Sequence, residues 1–392
     1  MEITLSRRWP QLMRSVNPSA GIAGPEPALP RRGFPWVSRG THTAQLPGVR
    51  AQATASDLTG TVVGGYRLDR RIGGSARAQV YYGRHAQLGR AAAIKILNPD
   101  LALDEEAMSR FFCEARAVAE LGCEHLVEVY DFVFEPRKER VAYIMEYLAG
   151  DDLRRSLDRT TGLPPHRAAR IAAQLCDALA AAHAYGVVHR DVRPGNIMLV
   201  RRGGEPEFVK LIDFGVAQFA GQVKHHTAAG NVLGNPLYMS PEAARGQRVD
   251  GRADLYSVGV VLYEMLTGIP PFRAVSQAAL IDQHLHQKAP SVAGDHGHGE
   301  TPRQLVDIVR RCLQKSPDDR FEDAESLRAA LLEASYAQAD IERTAPMVVP
   351  DDGLSRRFVR HALRLRASRT AALVAGSTIG LAAGYWLALA LR

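Results

Sequence analysis

The chain has 392 residues, 46% of them hydrophobic, and 49 Lys and Arg against 42 Asp and Glu give a formal charge of +7; it can bury a large core in one two-lobed domain with tails. Four cysteines without CxxC spacing, Cys113, Cys123, Cys176 and Cys312, signal neither a zinc site nor a disulfide framework and fit a reducing cytosol. The positive charge does not argue for nucleic acid, because arginines crowd the two ends, where a disordered arm or a membrane surface accounts for them.

Residues 1–60 scatter Pro, Gly, Ser and Arg without sustained apolar periodicity, so a disordered N-terminal arm is expected there. Ser6-Arg7-Arg8 is followed by no apolar run, and export is not signalled. From Tyr66 to Leu97 the pattern alternates as strands around a Gly73-Gly74 turn and ends in Ala91–Leu97, an apolar run holding Lys95. A lysine buried in such a strand demands an anion. Met108, Phe111, Phe112, Ala115, Val118 and Ala119 form a helical stripe bordered by Glu114. Taken alone, Lys95 can equally snorkel and Glu114 be solvated. Tyr143–Leu148 reads as a strand leading into a turn, and residues 168–185 as an alanine-rich helix that Gly186 terminates, with Val187-Val188 a short strand beyond it.

The most informative segments are His189-Arg190-Asp191-Val192-Arg193-Pro194-Gly195-Asn196 and Lys210-Leu211-Ile212-Asp213-Phe214-Gly215. Transfer of a phosphoryl group needs a carboxylate to orient the attacking hydroxyl and oxygen ligands to hold a divalent metal on the phosphates; Asp191, Asn196 and Asp213 can supply these. On these motifs and their order the chain resembles the eukaryotic-like (Hanks-type) serine/threonine protein kinases of bacteria, over about Tyr66–Leu332. The resemblance implies an α+β, bilobal protein-kinase-like fold, with a small β-rich N-lobe and a larger helical C-lobe. It implies ATP and Mg²⁺, for which Mn²⁺ can stand in, and protein substrates. It assigns Asp191 as catalytic base, Arg193 to the transferring phosphate, Asn196 and Asp213 to metal, and Lys95, paired with Glu114, to the phosphates. Ile72, Gly73, Val80, Ala93, Glu146 and Leu148 would line the nucleotide site, the last two through their backbone. Arg190 would meet a phosphorylated activation segment, with Thr227 as the acceptor. Asp254 would hold the catalytic-loop backbone or merely cap its helix, and Arg320 would pair with Glu242.

Several positions depart from the family. Ile72-Gly73-Gly74-Ser75-Ala76-Arg77-Ala78-Gln79-Val80 has Ser75 and Ala78 where the family has its second and third glycines, so a weaker grip on phosphate is expected. Arg193 stands where most members carry lysine, a planar fork in place of a point charge. Asn235 replaces a threonine that bonds the catalytic aspartate, a bond its amide can still donate. His284, His286, His296 and His298 read as solvated loop histidines, since no metal-ligand spacing is evident.

Residues 371–391 are 21 in number and uncharged, enough to cross a bilayer as one transmembrane helix. Arg356, Arg357, Arg360, Arg364, Arg366 and Arg369 precede it, at the end of a linker over 333–370, and place that side in the cytoplasm. The alternative is an alanine-rich core helix. Gly376, Gly380 and Gly384 recur every four residues, a face small enough for homodimers through this helix. Only Arg392 follows, so no extracellular sensor is expected. The expected function is a kinase tethered to membrane lipid by a C-terminal anchor, acting on Ser/Thr of proteins including itself. A pseudokinase scaffold is the competing reading, and a small-molecule phosphotransferase the third.

Overall fold

The computed structural model describes residues 57–344 apart from 103, 136–137, 139, 215–217 and 220–234. The chain divides into two units, Met1–Ala339 and Asp340–Arg392, and both lobes belong to the first. The expected span 371–391, its arginine-rich approach and residues 1–56 of the expected arm lie outside the described residues. Among the described residues no helix is long and apolar enough to cross a membrane.

The small lobe is an antiparallel sheet of order β1-β2-β3-β4-β6-β5, built from Val62–Val63, Tyr66–Gly74, Ala78–His85, Ala91–Leu97, Val129–Glu135 (β5) and Arg140–Met145 (β6). β2 starts with the alternation of a half-buried strand, Tyr66 and Leu68 inside, Arg67 and Asp69 outside. β4 is apolar on both faces because both are covered. Ala92 and Ile94 pack with Leu68, Tyr81 and Ile144, whereas Ala93 packs with Tyr82 and Tyr147. After the short α1 (Pro99–Ala102), α2 (Glu105–Leu121) seats Met108, Phe111 and Phe112 against Ala78, Leu97 and Tyr143. Its far end, Val118 and Leu121, joins the core of the large lobe, so α2 bridges the two. Ala119 is exposed and does not extend the stripe.

Two boundaries differ from expectation. Ordered contacts are made upstream of Tyr66: Leu58 donates its amide to the Tyr81 hydroxyl at 3.0 Å, and Gly60 donates to the Leu68 carbonyl at 2.7 Å. Two-residue β1 is too short to carry a period. The Gly73-Gly74 pair is not the turn, since Gly73 pairs with Val80 and Gly74 with Gln79; the chain reverses through Ser75–Arg77.

The large lobe begins with β7 (Gly150–Asp152) and α3 (Leu153–Asp158), whose N-cap Asp152 accepts from the Arg155 amide. α4 (Pro165–Ala184) opens on a proline and stops before Gly186, held at φ 72°. β8 (Val187–Val188), β9 (Ile197–Arg202), β10 (Glu205–Leu211) and β11 (Gln218–Phe219) follow, in small sheets of order β10-β9-β7 and β11-β8. After α5 (Pro241–Ala244), α6 (Gly251–Thr267) is buried from Ala253 through Leu266, as suits a helix enclosed by α4, α8 (Arg303–Cys312) and their neighbours. Its cap is Asp250, which accepts from the Arg252 amide, so capping is not the task of Asp254. α7 (Gln277–His286) buries His284 completely, against the expectation of a solvated loop. α9 (Ala324–Thr344) carries the helix well into the stretch expected to be linker.

Candidate active site

β8 leads directly into the loop that presents Asp191. Two amides of this loop, those of His189 and Arg190, donate to the Asp254 carboxylate at 2.9 and 2.8 Å. That anchor holds Arg190 at φ 65°, a left-handed backbone unusual for a long side chain. His183 Nε2, on α4, lies 2.8 Å from the same carboxylate. Burial alone would raise the Asp254 carboxyl, but the His183 hydrogen bond and the charges of His183 and His189 outweigh it and hold the acid below its ordinary pKa. His189 is itself buried, 4.4 Å from Phe214 between ring centres, and burial pushes its pKa down.

Asp191 is gripped from two sides. Arg193 Nε lies 3.0 Å from Asp191 Oδ2, and Asn196 Nδ2 donates to the same oxygen at 2.9 Å and to the Asp191 carbonyl at 2.8 Å. The guanidinium packs beside Gly195, where a Cβ would meet Arg193 Nη1 at 2.8 Å. The Asn235 bond expected from the sequence is not formed. Asn235 turns its oxygen to the Leu237 amide at 3.1 Å and caps the turn Pro236–Tyr238.

Asp213 follows β10 at φ 68°, and its Oδ1 lies 2.8 Å from Lys95 Nζ, across 118 residues of sequence. The Ile212 amide donates to the Asn196 carbonyl at 2.9 Å, which couples this strand end to the catalytic loop. Glu114 lies on α2, but its side chain is outside the described ones. Lys95, Asp191, Asn196 and Asp213 therefore line one site. Among the described residues no cluster of three or more His, Cys, Asp or Glu could hold a metal. The pair present nevertheless fits Mg²⁺. Asn196 uses its nitrogen on Asp191 and keeps its amide oxygen, and Asp213 is partly exposed; a magnesium ion needs only such oxygens with phosphates and water to complete its shell.

Beside these groups Ile72, Val80 and Ala93 gather with Tyr82, Tyr147 and Met145. Tyr82 and Tyr147 stand 4.4 Å apart, and Arg70 Nη2 donates to the Tyr147 hydroxyl at 3.1 Å, tying β2 to the segment between lobes. The Glu146 amide is spent on the Glu128 carbonyl at 2.7 Å, so the Glu146 carbonyl and the Leu148 amide are left to meet a base edge. Sequence reasoning missed Lys210: buried, it donates to the Leu126 carbonyl at 2.9 Å and pairs with the Glu146 carboxylate. Only its place within the apolar run Phe208–Ile212 hinted at a buried charge.

Arg320 meets Glu242 through two bonds of 2.7 Å, both side chains buried. Arg190 is half-buried at the root of the activation segment, whereas Thr227 and Gly215 lie outside the described residues.

The fold and this constellation define a class. Residues 66–332 match the protein kinase domain family, and the chain belongs to it. The chain is 39% identical over 307 residues to the serine/threonine-protein kinase Pkn1 of Myxococcus xanthus, covering 78% of this chain and 43% of that protein. It is 36% identical over 296 residues to PknB of Mycolicibacterium smegmatis, covering 73% and 46%. The chain thus spans about half the length, or less, of these relatives. A mutant form of the Mycobacterium tuberculosis PknI kinase domain superimposes with a TM-score of 0.54 at 26% identity, covering 71% of this chain and 99% of that domain.

Proposed function

We propose that the protein is a serine/threonine protein kinase that transfers the ATP γ-phosphate to proteins, itself included, from the cytoplasmic face of a membrane. The observation that carries this reading is the meeting of Lys95, Asp191, Asn196 and Asp213 at one site. Arg193 and Asn196 hold Asp191 by its Oδ2, which turns Oδ1 outward as the oxygen to accept the substrate hydroxyl's proton. Lys95 is poised to exchange its contact with Asp213 for phosphate oxygens, and Arg193 can move from Asp191 toward transferred charge. When bound, Mg²⁺ on Asn196 and Asp213 neutralises the phosphates. Retention of the three ionic groups and the Asn196 amide favours transfer over a scaffold without it.

Labelled ATP incubated with the full chain and a generic protein substrate tests the proposal. Label should reach both only with divalent metal. Asp191→Asn should lower transfer by about 10²- to 10⁴-fold while nucleotide still binds. Asp213→Ala should impair metal-dependent binding as well. Undiminished transfer by Asp191→Asn overturns the mechanism.

A further inference from the structure

We infer that Ser75 satisfies the phosphate loop from within, so that nucleotide phosphates must displace its hydroxyl to bind. The inference rests on the kinase reading above. At the tip between β2 and β3 the Ser75 amide donates to the Ala78 carbonyl at 2.7 Å. Ser75 Oγ accepts from the Arg77 amide at 3.2 Å and from the Ala78 amide at 3.4 Å. Of the four amides from 75 to 78, that of Ala76 is then the one without an internal acceptor among the described residues. A loop that covers phosphates does so by offering amides to anionic oxygen. The serine oxygen already occupies two of them, as a neutral stand-in for a phosphate oxygen. The bond from Arg77 is at the long end of the ordinary range and that from Ala78 is beyond it, and a charge-assisted bond is stronger, so the hydroxyl yields to phosphate but at a cost in affinity.

Asn98 sets where this tip sits. It follows β4, three residues after Lys95; its amide donates to the Arg77 carbonyl at 2.8 Å and its Nδ2 to the Ala76 carbonyl at 3.0 Å. The tip is thereby tied to the strand that carries the phosphate-binding lysine, and Asn98 is a positioning residue. Ala78, the other replaced glycine, contributes its backbone amide and carbonyl to the latch, while its methyl is buried with Leu97 and Phe112 and belongs to the core.

Equilibrium binding of Mg²⁺-ATP and of adenosine to the full chain separates the terms. Ser75→Ala should bind ATP roughly three- to tenfold more tightly than the parent, the exchange of one or two weak hydrogen bonds, with adenosine affinity unchanged. Ser75→Thr keeps the hydroxyl and should stay near the parent. Asn98→Ala and Asn98→Asp, which both lose the side-chain donor, should weaken ATP but not adenosine. Unchanged or weaker ATP binding by Ser75→Ala overturns the latch, as does a parallel change for adenosine. A parent that binds adenosine normally while Asn98→Asp keeps full ATP affinity overturns the role of Asn98. If parent and variants all fail to bind ATP, the kinase reading itself falls and takes the latch with it.

Discussion

His284 carries a pH dependence that its sequence neighbourhood conceals. Its Nδ1 lies 2.9 Å from the Tyr256 hydroxyl, its ring stands edge-on to Phe272 at 4.8 Å, and Lys315 Nζ donates to its carbonyl at 2.7 Å. Burial first, then the Lys315 charge, press its pKa down to about 4. The unfolded chain takes up this proton near pH 6.5 and the folded one does not, so stability is full above that pH, falls through the window, and is lost by pH 4. Urea unfolding of the parent should lose up to about 3 kcal/mol from this group between those limits, and His284→Gln should flatten the slope. The burial comes from residues 28 and 12 positions away, between polar neighbours Gln283 and Gln287, and no local pattern announces it. Asp191, Asn196 and Asp213 were legible because their motifs are contiguous. The contact of Lys95 with Asp213 and the turning of Asn235 away from Asp191 depend on tertiary geometry, which spacing alone does not encode.

At the scale of elements, length decided what could be read. α2, α4 and the strands β2 to β4 repeat their period several times and stand out in the sequence, whereas β1, β7 and β11 have two or three residues each and exist only through their partners. β7 illustrates this. Gly150 pairs with Val200, and a Cβ on it would overlap the Leu199 carbonyl, a backbone atom fixed by the β9–β10 ladder. Gly150→Ala must therefore push β7 off β9. A loss of about 1–3 kcal/mol is expected in thermal or chemical unfolding.

For the whole molecule, the bilobal plan was legible because motifs of both lobes occur in family order, while the contacts of Leu58 and Gly60 upstream of Tyr66 and the reach of α9 to Thr344 were not. Leu58 and β1 offer too few apolar residues to register, and the polar sequence at the end of α9 resembles a linker. The uncharged stretch 371–391 carries the proposal of a membrane tether. The full chain should remain with membranes after a carbonate wash, and removal of residues from 355 onward should release a soluble protein that still transfers phosphate. A full chain recovered in the wash would sink the tether without touching the chemistry.

The bidentate Arg320–Glu242 pair has a consequence for the order in which the molecule opens. Arg320 also donates to the carbonyls of Gln314, Lys315 and Arg252, so one guanidinium closes α5, the start of α6 and the approach to α9 into a single knot. Freeing any one strand of it strands a charge in apolar surroundings, which costs more than the strand's own contacts. Amide protons in these three stretches should then exchange together in a hydrogen-exchange measurement, on the timescale of the buried α6 they close upon.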